Sequence, residues 1–184
     1  MTSTQPRPPV SAVRLSLADG RVVTVRELLP GDADALVAAL EAADPVDLRR
    51  RFMGGPPPVS MLVERLEQAD GVHNLGLGAF AGDGSLVGVA QFDRVGDEPT
   101  AEIAVEVQTG WQNQGLGTAL LARLADVAVD RGIHHFSATF LAENLPLRRL
   151  LKDVGPLVTT TFEGGEGHID LDLDGVPHQP NGTR

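Results

Sequence analysis

The sequence predicts an α/β (α+β) domain, a mixed and mostly antiparallel sheet flanked by helices, on three observations. Short apolar runs with a period of two and longer runs with a helical period follow one another in a fixed order: strands, helices, three antiparallel strands, helix, strand, helix, two strands. The 184 residues are 42% hydrophobic, enough for one domain with a real core. One apolar run, Ala101 to Val107, passes through a glycine-bearing loop straight into a long amphipathic segment from Leu116 to about Arg131.

Each element has its own signal. Residues 1–12 open with a Pro-, Ser- and Thr-rich stretch and are expected to form a disordered tail, ahead of a single domain over 13–174. Val13 to Leu17 and Arg21 to Leu28 alternate as strands around the Ala18-Asp19-Gly20 turn. Pro30 and Gly31 start a helix through about Ala43, with Leu36, Val37 and Leu40 on its buried stripe. Asp44-Pro45 breaks it, and Val46 to Met53 forms a short helix carrying Arg49, Arg50 and Arg51, a solvated or substrate-contacting face. After the rigid loop Gly54 to Pro58, a lid or a connector, Ser60 caps or nearly caps a third helical run.

Asn74 to Phe80 and Ser85 to Val95 make a hairpin across Ala81-Gly82-Asp83-Gly84, and Thr100 to Val107 is the next strand. In the long helix Leu116, Leu120, Leu124 and Val127 share one face, and Arg131-Gly132 ends it. Ile133 to Leu141 is a strand, and Asn144 to about Val154 is a helix stopped by Gly155-Pro156. Leu157 to Phe162 and His168 to Leu173 are the last strands, joined across Glu163 to Gly167. Residues 175–184 are expected to be a flexible tail.

Composition removes whole classes of function. The chain has no cysteine, so disulfides, thiolate metal sites and cysteine nucleophiles are excluded. A net charge of −10 argues against nucleic acid and anionic membranes as partners and suits a cationic one. No apolar run approaches membrane-span length and the N-terminus lacks a signal core, so a cytoplasmic location is expected. His134-His135 opens a strand, so its side chains diverge, and no metal site is expected.

The segment Gln112-Asn113-Gln114-Gly115-Leu116-Gly117 is where chemistry concentrates. A strand, a glycine-bearing turn and a helix start together suit a phosphate-bearing ligand. Glycine permits close approach, and the first amides of a helix point outward at an anion. No Gly-Lys-Ser/Thr follows, which removes a P-loop, and Leu120 stands where a dinucleotide fingerprint needs Gly or Ala.

The segment resembles motif A of the GNAT superfamily of acetyl-CoA-dependent N-acetyltransferases. That motif is Gln or Arg, two residues, Gly, one residue, then Gly or Ala, met here by Gln112, Gly115 and Gly117. The order of elements is the GNAT order over about residues 21 to 174. The runs AEIAVEV, WQNQGLGTALL and ATFLAEN look especially like the catalytic domain of bacterial Pat-type protein lysine acetyltransferases. Those often carry a further regulatory or ligase-like domain; with nothing ahead of the strand pair, such regulation is expected to be absent or to lie in another chain.

The resemblance implies a sheet that splays between its fourth and fifth strands, acetyl-CoA as co-substrate and no metal. It assigns cofactor contacts to Val105, Glu106 and Val107, which would pair with the pantetheine arm, and to Gln112, Asn113, Gln114, Gly115, Leu116, Gly117 and Thr118 around the pyrophosphate. Asn144 would also touch the cofactor, with a helix N-cap as its other reading. Gly115 and Gly117 are expected to be glycine because a side chain would collide with the pyrophosphate.

Glu102 is the first choice for the general base, matching the glutamate of Pat-like domains, and Glu106 is the alternative. Alternation sets both on one face of the strand, and a carboxylate half-buried in a central strand needs a task or a partner. A departure concerns the general acid. The tyrosine of many members would fall at Leu151, and the chain contains no tyrosine, leaving water, Ser137, Thr139 or no acid. The expected acceptor is a primary amine, most simply a protein lysine, handled by a monomer or a homodimer. A small-molecule amine and a non-catalytic acyl-CoA-binding regulatory domain are the alternatives.

Overall fold

A computed structural model describes residues 10–53, 55–154 and 157–174. Residues 1–9 and 175–184 of the expected tails, Gly54 of the proline-rich loop and the Gly155-Pro156 helix stop lie outside the described residues. Strands β1 (Val13–Ser16) and β2 (Val22–Glu27) come first, then helices α1 (Ala33–Ala42), α2 (Pro45–Phe52) and α3 (Val59–Glu67). Strands β3 (Asn74–Phe80), β4 (Leu86–Arg94) and β5 (Thr100–Val107) lead to α4 (Leu116–Val129). After it come β6 (His135–Leu141), α5 (Leu145–Val154), β7 (Leu157–Glu163) and β8 (Glu166–Asp172).

The strands form one eight-stranded sheet in the order β1-β2-β3-β4-β5-β6-β8-β7. Every neighbouring pair is antiparallel except β5 and β6. That parallel contact is short: Thr100, Ala101 and Glu102 pair with His135, Phe136 and Ser137, and the ladder then ends. The splay expected between the fourth and fifth strands, counted from β2 where the family order begins, is therefore present between β5 and β6, ahead of the glycine-bearing loop.

Alternation along β5 sorts its side chains to two faces. Ala101 and Ile103 enter the larger core, where Leu120, Leu121 and Leu124 of α4 are fully buried. Each such leucine contributes roughly 1.5–3 kcal/mol by leaving water. The opposite face is covered near β2–β4 by a smaller cluster, Leu28, Leu66, Phe80, Leu86 and Val89, with Leu36 and Ala39 of α1 against it. Glu102, Ala104 and Glu106 point to this second side, toward the helices that precede the sheet.

Some boundaries differ from the sequence reading for local reasons. Asp44-Pro45 both ends α1 and starts α2: Asp44 Oδ1 accepts the Val46 N–H at 2.7 Å, and Pro45 needs no amide partner at the first helical position. Ser60 lies inside the first turn of α3, whose N-cap is Pro58. The last hairpin turns in two residues, Gly164 and Gly165, so β8 starts at Glu166, two residues before His168.

The turn into β3 is held by Asp70. Burial raises its carboxyl, but the His73 ring at 2.6 Å and the N–H groups of Val72, His73 and Asn74 lower it further, to about 2 from 3.8. A depressed carboxyl contributes stability above its unfolded value, and that contribution is lost as pH falls from about 3.8 through about 2. Asp70→Asn should therefore be less stable than wild type at pH 7, with the gap narrowing toward pH 2. Urea melts of both proteins at pH 7, 4 and 2.5 check this; a gap independent of pH removes the ionised turn as its cause.

Candidate active site

The site begins where β5 loses its neighbour. From Ile103 to Val107 the strand remains paired with β4, through Phe92↔Ile103 to Gly88↔Val107, while among the described residues its other edge has no strand partner. An extended ligand can add to such an edge by main-chain hydrogen bonds. The chain then turns through Thr109–Trp111 into the loop and α4.

Two left-handed residues shape that loop, Asn113 at φ 59° and Gly115 at φ 84°. Gly115 is the N-cap of α4, and nothing lies within 4 Å of where its Cβ would be. Its glycine is therefore required by the backbone, since a side chain at that φ is strained. Gly117 is different: its Cβ would meet Leu150 at 3.3 Å and Val107 at 3.7 Å, so it is where α4 passes close to α5. Positive φ at Gly115 and the Leu150 contact at Gly117 are thus reasons for glycine inside the protein itself, beside the expected one of sparing the pyrophosphate. The N–H groups of Leu116, Gly117 and Thr118 open the helix without intrahelical acceptors, and Gly115 C=O accepts from Ala119.

Side chains brace the loop from several sides. Gln112 Nε2 donates to Val107 C=O at 2.9 Å and to Asp47 Oδ2 at 2.7 Å. Its side chain thus ties the loop to β5 and α2. Gln114 C=O accepts from Ala18, and Arg21 lies 3.8 Å over the Trp111 ring while donating to Gly110 C=O. Asp47 and Arg21 had no functional signal in the sequence, because their partners are 60 or more residues away. Asn144 is buried, and its Oδ1 accepts the Leu147 N–H at 3.2 Å, so it caps α5. Leu151, the position of the missing tyrosine, is a fully buried core residue, and Thr139 Oγ1 faces His168 Nδ1 at 3.3 Å.

The two candidate carboxylates differ sharply. Glu102 is exposed, at the mouth of the splay, and bonds to no other side chain among the described residues. The half-buried setting expected for it belongs to Glu106, whose side chain is only 13% exposed. The difference is the partner that α2 brings: its Arg51 meets Glu106, and no described side chain bonds to Glu102. Glu106 Oε2 pairs with Arg51 Nε at 3.3 Å, and Arg51 Nη2 donates to Gln91 Oε1 at 3.0 Å. Burial pushes the Glu106 carboxyl up, Arg51 draws it back and Asp47 pushes it up again, for a net rise. Burial likewise lowers the Arg51 guanidinium against the support of Glu106. Of the three arginines read as one helix face, Arg51 turns inward and Arg50 pairs with Asp47 at 3.2 Å.

Beside this pair is a cavity of about 60 Å³ between α1, α2, α3 and the sheet, lined by Leu40, Arg51, Phe52, Arg65, Gln91 and Glu106 among others. Among the described residues no group of three or more His, Asp or Glu could hold a metal ion, and no helix is long and apolar enough to cross a membrane.

The family model for the acetyltransferase (GNAT) family matches residues 43–155, well over half of the chain. The chain belongs to the GNAT family of acetyltransferases. Among GNAT proteins it is 26% identical over 176 residues to acetyltransferase Pat of Mycolicibacterium smegmatis, covering 93% of this chain and 53% of that protein. The chain thus spans about half the length of that relative. The crystal structure of the GNAT domain of S. lividans PAT superposes with a TM-score of 0.82 at 28% identity, covering 90% of this chain and 99% of that one. The protein yncA of Salmonella typhimurium, solved with its cofactor acetyl-CoA, shares the fold at a TM-score of 0.63 and 22% identity, over 83% of this chain and 94% of that one.

Proposed function

We propose that this GNAT domain, residues 13–174, moves an acetyl group from acetyl-CoA to a primary amine, and that the acceptor is a protein lysine. The observation that carries this is the open edge of β5 from Ile103 to Val107, set directly before the α4 N-terminus. An extended pantetheine arm fits the first and a pyrophosphate fits the second. The similarity to Pat of M. smegmatis supports a lysine acceptor.

In this reading the main chain of Val105, Glu106 and Val107 holds the arm. The amides of Gln114, Gly115, Leu116, Gly117 and Thr118, with the Thr118 hydroxyl, hold the pyrophosphate, and Gln112 and Asn113 set the loop's shape. Asn144 reaches the cofactor while capping α5. Bound acetyl-CoA supplies an activated acyl group as a thioester. Glu102 takes the proton of the incoming ammonium, directly or through water, because its carboxylate is exposed and has no side-chain partner among the described residues. Glu106 is already held by Arg51 and serves to position α2 over the strand. We assign no side chain as general acid, and the leaving thiolate, tolerable near neutral pH, takes its proton from solvent.

Thermal melts with acetyl-CoA, free CoA, ATP and NAD test the cofactor site. At a hundred times its dissociation constant either CoA species should add roughly 2.7 kcal/mol of stability. ATP and NAD should add nothing, and Gly117→Glu should abolish the CoA effect. Stabilisation by none of the four, with a normal melt of the unliganded protein, would leave the loop as a structural turn.

A further inference from the structure

The geometry points to a carboxylate-recognition site in the acceptor groove: Arg51 receives a carboxylate carried by the amine substrate. This rests on the acetyltransferase reading and adds to it the feature of the acceptor, beyond its amine, that the site recognises. Arg51 is 8% exposed, yet only two of its three nitrogens are used. Nε meets Glu106 and Nη2 meets Gln91, while Nη1 is buried and has no hydrogen-bond partner among the described residues. A buried guanidinium N–H without an acceptor is costly and is completed by water or by a ligand. Arg94 Nε and Arg131 Nε and Nη1 are left likewise, but of these arginines Arg51 is the one that lines the cavity.

Arg51 lines the cavity of about 60 Å³, room for roughly four water-sized groups and so for a carboxylate on a short stem. Leu40, Phe52 and Val89 give it apolar walls, and the two carboxylates that also line it, Glu106 and Asp93, are each held by an arginine. The second cation at the cavity, Arg65, is already neutralised by Asp93 at 2.7 Å. That leaves Arg51 as the donor with capacity to spare. The planar fork of a guanidinium matches a carboxylate, and the amide of Gln91 is a neutral partner that can yield Nη2 to a bidentate contact. Glu106, which Arg51 meets, lies on the stretch of β5 that has no second strand partner among the described residues, so a carboxylate on Arg51 is held next to the strand that would carry the thioester.

Such a carboxylate has two sources, an amino-acid-type acceptor or an acidic residue next to a lysine in a protein. Matched probes separate them. Nα-acetyl-L-lysine and its amide differ only in the carboxylate, and acetyl-Glu-Lys-amide and acetyl-Gln-Lys-amide differ only in the neighbouring acid. The full chain should acetylate one of the carboxylate probes roughly 10- to 100-fold better in kcat/KM than its neutral twin. The pair that discriminates identifies the source. Arg51→Lys keeps a cation for Glu106 but loses the fork, and should reduce the preference to within about twofold.

Calorimetric binding of the same probes to the CoA-saturated protein is the second readout. A carboxylate preference in binding without turnover would support Arg51 recognition and defeat the catalytic reading. Equal turnover and equal binding of both twins in both pairs by wild-type protein would overturn the inference and leave the acetyltransferase reading intact. Both comparisons are made within wild-type protein, so they decide even if the variant is unstable.

Discussion

Glu102→Gln is expected to lower kcat by ~10²–10⁴-fold, the range in which a positioned general base acts, while the affinity for acetyl-CoA is unchanged. The substitution keeps size and hydrogen-bonding capacity and removes only the proton acceptor. Glu102 is exposed, so the change should not cost measurable stability. It lies at the last pair of the β5–β6 ladder, opposite Ser137, where the two strands part and an amine can enter. At neutral pH an ammonium must lose its proton before attack, and no other unpaired carboxylate stands on this face of β5. Steady-state kinetics across pH 6 to 9, with CoA affinity measured by calorimetry, decide the matter. Near-wild-type turnover over that whole range would transfer the role to Glu106.

Glu106→Ala should have the largest effect on folding, a loss of about 3–5 kcal/mol. Its partner Arg51 is almost completely buried, and removal of one member of a buried pair strands the other charge. Replacing both, as Glu106→Leu with Arg51→Met, should recover most of that loss, because no uncompensated charge remains and similar volume refills the space. Urea unfolding of the two single variants and the double variant gives the coupling directly. A single-variant loss below about 1 kcal/mol would mean that water reaches the pair and that α2 does not seal the groove. The same unfolding curves bear on the carboxylate inference, since an accessible Nη1 would have no need of a ligand.

Most of the fold was open to a reading of the residues, because periodicity is local. The β3–β4 hairpin, the α4 stripe of Leu116, Leu120, Leu124 and Val127, and the fifth strand and its following helix lie where their patterns place them. The misplacements were at ends, where a cap or a tight turn decides within one or two residues. Ser60 and the Gly164-Gly165 turn are the examples. The glycine-bearing loop was also readable, but the reasons for its glycines inside the protein were not. Positive φ at Gly115 and the approach of Leu150 to Gly117 are facts about backbone path and packing.

What the chain determines by itself, then, is the order of elements, the open-ended β5, the loop and the family. Each of these depends on residues adjacent in sequence or on a spacing of a few positions. Only the tertiary structure decided which glutamate is exposed and which is paired. That outcome depends on how α2 is docked on β5, through Asp47 meeting Gln112 and Arg51 meeting Glu106 across 55 or more residues. Alternation set Glu102 and Glu106 on the same face and could not separate them. The electrostatic difference between them comes from the arginine that α2 brings to Glu106.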